Sequence, residues 1–104
     1  MNESYPPPPC NIGKKGKRIN PDGKITHFMI EDEIVRITLN APHKLLYLQK
    51  IKYENDIIQL RFAYYIIGKK PKMQGRWVFG QFAPLMSFED FRAIVDEARK
   101  KSWL

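Results

Sequence analysis

Between residues 57 and 88 the chain carries Arg61, Lys69, Lys70, Lys72 and Arg76 and, over 32 residues, no aspartate or glutamate. Tyr65, Trp77 and Phe79 are interleaved with those cations. An unpaired nucleic-acid strand needs both components. Cations neutralise phosphates and release counterions, while rings or flat guanidinium groups stack on bases at ~1–3 kcal/mol per base. A second basic run, Lys14, Lys15, Lys17 and Arg18 around Gly16, would add affinity through the same counterion release. In residues 45–53, Lys50 and Lys52 share a strand face with Leu46 and Leu48, which puts two more cations at a rim.

Catalytic constellations are harder to assemble. His27 and His43 stand far apart with no carboxylate at a fixed spacing, and neither His-x-x-x-His nor Cys-x-x-Cys occurs, although zinc needs three or four such ligands. Glu31, Asp32 and Glu33 form an acidic cluster that could collect Mg²⁺ but reads as a solvated turn at a strand edge. The run Gly13-Lys14-Lys15-Gly16-Lys17 has neither the spacing of a phosphate-binding loop nor a strand before it. Cys10 has no companion and reads as an inert exposed thiol. A metal-independent ribonuclease would have to draw on His43, Lys44, Arg61 and Tyr65, which nothing in the sequence brings together. The expectation is a non-enzymatic protein with no catalytic residue, cofactor or metal.

The elements that must position these residues follow from length and patterning. The 104 residues suffice for one domain, and the net charge is +7 with 43% hydrophobic residues, a folded basic protein with a polyanionic partner. No apolar run approaches the ~18 residues of a membrane span. The first residues, MNESYPPPPC, lack the apolar stretch of a secretory leader, and with a single cysteine the expected location is cytoplasmic. Residues 1–24 read as a flexible proline-rich and basic arm, because four consecutive prolines favour polyproline II and few apolar anchors are present.

Residues 25–104 read as a single β-rich domain. Strands are predicted over 25–30, 33–39, 45–53, 57–67 and 76–83, the last bulged at Gly80, with a three-residue hairpin turn at 54–56 that places Asn55 or Asp56 at positive φ. Alternation puts Ile58, Leu60, Phe62, Tyr64 and Ile66 on one face and Gln59, Arg61, Ala63 and Tyr65 on the other. A helix over 87–101 starts at Ser87, with Asp90 as its capping partner and a buried stripe of Phe88, Phe91, Ile94, Val95 and Ala98. Trp103 either folds back on the sheet or meets another subunit. The predicted class is α+β, an antiparallel sheet of four or five strands with one C-terminal helix packed on one face.

Residues 45–99, with two strands about a tight turn, a basic loop over 68–75, a third strand, Pro84-Leu85 and the capped helix from Ser87, resemble the single-stranded-DNA-binding transcriptional coactivators of the positive-cofactor-four type. The resemblance implies a homodimer that binds unpaired DNA across its sheets and is related to transcription, gripping phosphates with Lys50, Lys52, Arg61, Lys69, Lys70, Lys72 and Arg76. This chain departs from the family where Arg76-Trp77-Val78-Phe79 opens the last strand and where residues 25–39 add strands. The leading expectation is a low-specificity binder of single-stranded DNA or RNA. A competing one is a small regulator docked on a nucleic-acid enzyme, with Tyr65, Trp77 and Trp103 as anchors and the proline run as ligand for an aromatic groove.

Overall fold

The computed structural model describes residues 5–39, 41–69, 72–80 and 83–104. Five strands, β1 (Lys15–Ile19), β2 (Ile25–Thr38), β3 (Ala41–Tyr53), β4 (Ile58–Ile67) and β5 (Trp77–Phe79), precede a helix, α1 (Phe88–Lys100). Each strand pairs antiparallel with the next, so the spatial order is the chain order. The α+β class with a C-terminal helix is as the pattern predicts.

The central strand β3 explains why both faces are covered. Leu45, Leu46, Tyr47, Leu48 and Gln49 are all buried, yet successive strand residues point to opposite sides. On one side Leu46 and Leu48 join Ile34, Tyr64, Ile94 and Ala98, with Met86 and Trp103 packed against them. On the other side Leu45 and Tyr47 join Ala63, with Tyr65 and Trp77 alongside. Burying one such large apolar side chain stabilises the fold by about 1.5–3 kcal/mol, so two clusters of opposite parity pin the register of β3. The β3–β4 hairpin closes through Asp56 N–H to Tyr53 O (2.9 Å), with Asp56 in the left-handed region at φ 65°.

α1 begins where Ser87 Oγ accepts from the Asp90 N–H (3.1 Å) and donates to Asp90 Oδ2 (3.0 Å). The other Asp90 oxygen accepts from Arg36 Nε at 2.9 Å, which ties the helix to β2. Burial by itself would push the Asp90 carboxyl up. The hydrogen bonds from Arg36, Ser87 and the Leu39 backbone outweigh it and hold the group below the usual aspartate value. Lys101 adds a 3.2 Å ion pair to Asp32 of the same strand.

The sheet is strongly curled toward the face opposite the helix. Phe28 pairs with Tyr53, Arg61 with Gln49, and Phe79 with Tyr65, so Phe28 and Phe79 lie four registers to either side of Arg61. On a flat sheet at ~3.3 Å per residue the two positions would be roughly 26 Å apart along the strands. Both rings nevertheless approach the Arg61 guanidinium, at 5.5 and 6.0 Å from its carbon. This face is concave.

Four expectations are corrected. The flexible arm at 1–24 is the first: residues 15–19 form β1 on the edge of β2, and Asn11 is buried, so the folded unit begins well before Ile25. Its anchors are hydrogen bonds to backbone carbonyls and to Glu33, which an apolar count does not register. Second, the strands at 25–30 and 33–39 are one strand, β2, with a register shift at Glu31 that absorbs the break. Third, β5 is Trp77–Phe79 and not 76–83: Gly80 still gives its N–H to Tyr64 O (2.8 Å) in the β4–β5 register, a Cβ there would overlap the Tyr64 ring, and residues 81–82 lie outside the described residues. Fourth, only Ile94 and Ala98 of the helix stripe are buried, while Phe88 is 88% and Phe91 46% exposed.

The fourth correction has a geometric cause. α1 leans over β2 and away from β4. The helix side of β4 is therefore open, with Ile58, Leu60, Phe62 and Ile66 at 37–47% exposure and Phe91 at 6.2 Å from Phe62. Trp103 folds back, its N–H bonded to Ala98 O at 2.9 Å.

Candidate nucleic-acid interface

The concave face divides into a filled end and an open end, separated by a polar network. At its centre the buried Glu33 carboxylate accepts three hydrogen bonds from uncharged donors: Asn11 N–H (2.7 Å), Asn11 Nδ2 (3.3 Å) and Gln49 Nε2 (3.0 Å). Gln49 Oε1 in turn accepts from Arg61 Nε (3.1 Å) and Nη2 (2.7 Å). Asn11 Oδ1 accepts from the Tyr65 hydroxyl (3.2 Å) and Lys14 Nζ (3.3 Å). Strand parity selects these residues, since Glu33, Gln49, Arg61 and Tyr65 all point to this face. The network fixes the guanidinium plane, and a held plane presents a stacking surface without further loss of side-chain freedom.

At the filled end residues 5–11 cross over Tyr47, Tyr65 and Trp77. The Tyr47 hydroxyl donates to Pro9 O at 2.6 Å and Trp77 Nε1 to Pro6 O at 2.8 Å. Burial, then the Glu33 charge, pushes the Tyr47 phenol well up. Burial also raises the Tyr65 phenol, helped by Glu33 and opposed by the Asn11 hydrogen bond and by Arg61. Both phenols are neutral donors at physiological pH.

The open end is lined by rings. Tyr53 meets Phe28 edge-on at 5.9 Å, Phe28 meets Arg61, Arg61 meets Phe79, and Phe79 meets Tyr65 edge-on at 5.4 Å. Phe28 is held down because its ring lies against the backbone of Gly16 on β1, where any Cβ would collide with it. Beside this row a cavity of about 160 Å³ is lined by Arg18, Thr26, Tyr53 and Gln59 among others. Phe79 keeps 45% of its surface exposed. The result is a trough of rings with the Arg61 guanidinium between Phe28 and Phe79, open to solvent.

The residues expected to grip phosphate are only partly gathered here. Arg61 and Arg18 share the concave face, with Lys14 at its rim. Tyr65 is on that face too but is spoken for by Asn11. Lys50 and Lys52 share the face of Leu46 and Leu48 as expected, which is the helix side and not the trough, and they pair with Glu31 (3.4 Å) and Asp56 (3.6 Å). Lys15 and Lys17 point to the same side as Lys50. Lys69, Lys72 and Arg76 are exposed in the β4–β5 loop at the opposite end of the sheet from β1, and Lys70 lies outside the described residues.

The acidic cluster is also dispersed. It sits within β2, not in a turn, with Glu31 on Lys50, Asp32 on Lys101 and Glu33 in the network. The ribonuclease set is split, since Lys44 turns to the helix side and donates to Leu85 O (2.7 Å) while Arg61 and Tyr65 face away from it. Sequence reading missed Phe28 as a partner of Arg61 and Tyr53 as the ring beside Phe28. Tyr53 shares the parity of Gln49 on β3, but Phe28 joins that face only through the register shift at Glu31, and only the curl brings it to Arg61.

The chain matches no family model, no curated protein and no solved structure. Among the described residues, no helix is long and apolar enough to cross a membrane.

Proposed function

We propose that this protein binds single-stranded nucleic acid, DNA or RNA, with low sequence specificity and no catalysis of its own, along the open end of the concave face. The observation that carries this reading is the row Tyr53–Phe28–Arg61–Phe79 on a curved surface bordered by Arg18 and Lys14. Exposed flat groups beside cations offer faces on which unpaired bases stack, whereas a base pair hides both base faces inside its stack. The parts order shared with the coactivator family goes with this reading, although the grip moves from Lys50 and Lys52 to Arg18 and Arg61.

The test is fluorescence anisotropy with a labelled oligonucleotide of about 20 residues, single-stranded and as a duplex, across a salt series. Three to five phosphate contacts give a slope of about −2 to −3.5 in log affinity against log salt, a loss of roughly 20- to 130-fold between about 50 and 200 mM. The single strand is expected to bind more tightly than the duplex. No binding at low salt, or equal binding of both forms, refutes the proposal. The open apolar strip on β4 favours a second reading, a protein-docking regulator, and a chain that ignores nucleic acid at low salt would favour it.

A further inference from the structure

We propose that Tyr47, Tyr65 and Trp77 form a polyproline-II recognition groove, filled by residues 5–9 of the same chain and able to take a proline-rich segment of another protein when vacated. Four consecutive prolines favour a helix of three residues per turn whose carbonyls have no internal partner. Residues three apart on such a helix face the same way. Pro6 and Pro9 are three apart, and theirs are the two carbonyls that the groove engages, through the Trp77 indole N–H and the Tyr47 hydroxyl. Pro9 is half-buried, while Pro6, whose carbonyl is bonded, is exposed like Pro7 and Pro8. Tyr5 extends the contact with its ring at 5.8 Å from that of Trp77.

The floor is aromatic, with Tyr47 and Tyr65 at 5.0 Å. The two gripping donors come from different strands, β3 and β5, and their spacing follows from the curl of the sheet. Aromatic side chains that donate to carbonyls of a preformed, low-entropy polyproline helix are the general mode by which proline-rich ligands are recognised. The groove occupies the filled end of the concave face and does not rest on the nucleic-acid reading.

The probe is a capped peptide of sequence YPPPP, followed by the Trp77 indole N–H resonance in ¹H–¹⁵N spectra, with Trp103 as internal control. The groove is emptied in the full-length chain by Tyr5→Ser, Pro6→Gly, Pro7→Ser, Pro8→Gly and Pro9→Ser together. In this variant the peptide is expected to shift Trp77 and not Trp103. The unaltered chain should need at least about tenfold more peptide, because the tethered arm competes at an effective concentration of about a millimolar or more. Adding Tyr47→Phe should weaken the peptide about fivefold or more by removing one donor.

A folded variant whose Trp77 signal ignores the peptide, or responds equally to a glycine-serine peptide, overturns the proposal. If the variant does not fold, the unaltered chain decides. Broadening of its Trp77 signal, and not that of Trp103, by excess YPPPP carrying a C-terminal spin label supports the groove, and an unbroadened Trp77 signal overturns it.

Discussion

Substitution of Arg61 separates stacking from charge. Its Nε and Nη2 donate to Gln49 Oε1, which orients the guanidinium plane among the Phe28 and Phe79 rings at 5.5 and 6.0 Å from its carbon. Arg61→Lys keeps the charge and one donor but removes the flat plane. At about 1–2 kcal/mol for a lost stack, affinity for a single strand should fall by roughly 5- to 30-fold with the salt slope unchanged. Arg61→Gln removes plane and charge together and keeps an amide donor for Gln49. Its slope should flatten by about 0.7, so between about 50 and 200 mM salt the unaltered chain loses roughly 2.6-fold more affinity than this variant.

Anisotropy at several salt concentrations reads both quantities, and urea unfolding checks that each variant is folded. Stranding the buried Gln49 oxygen costs about 1–3 kcal/mol, so a large drop in the urea midpoint identifies damage to the network instead of lost binding. The reasoning fails if Arg61→Lys binds as tightly as the unaltered chain while Arg61→Gln keeps its slope.

Three further outcomes follow from the same geometry. Asp90 has its folded value lowered, so its stabilisation is present above pH ~4 and disappears as pH falls through that lowered value. Asp90→Asn should lose about 1–2 kcal/mol at pH 7, measured by urea, and show a shallower acid decline. Tyr47 is raised, so stability is complete below pH ~10 and declines above it; Tyr47→Phe should remove up to about 1.4 kcal/mol per pH unit from that alkaline loss in a denaturation series. Gly80→Ala should destabilise by about 1–3 kcal/mol because the new methyl meets the Tyr64 ring, and a midpoint unchanged in thermal melting would contradict the packing at the end of β5.

Alternation was enough to assign the faces of β4, since Arg61 and Tyr65 do share one side and Ile58, Leu60 and Phe62 the other. The Ser87–Asp90 cap and the left-handed Asp56 turn were equally local, each set by a few adjacent residues. What escaped were effects carried by distant partners. The arm docks through carbonyls, and a proline carbonyl bonded to a tyrosine leaves no trace in hydropathy. Lys50 and Lys52 find acids on the neighbouring strand and in the following turn, which charge spacing along their own strand does not show. Phe28 reaches Arg61 only because the sheet bends, and bending is a sum over many residues that no short motif states.

The uncovered strip on β4 gives ionic strength a double effect on this chain. With a net charge of +7, copies repel one another over the Debye length, which is ~10 Å at 0.1 M salt and shrinks to ~3 Å at 1 M. That repulsion opposes contact between the exposed Ile58, Leu60 and Phe62 and the same residues on another molecule. Salt that would weaken phosphate contacts along the proposed trough also screens this repulsion, so a preparation freed of polyanions at high salt is expected to self-associate through the strip, read as a rise in light scattering.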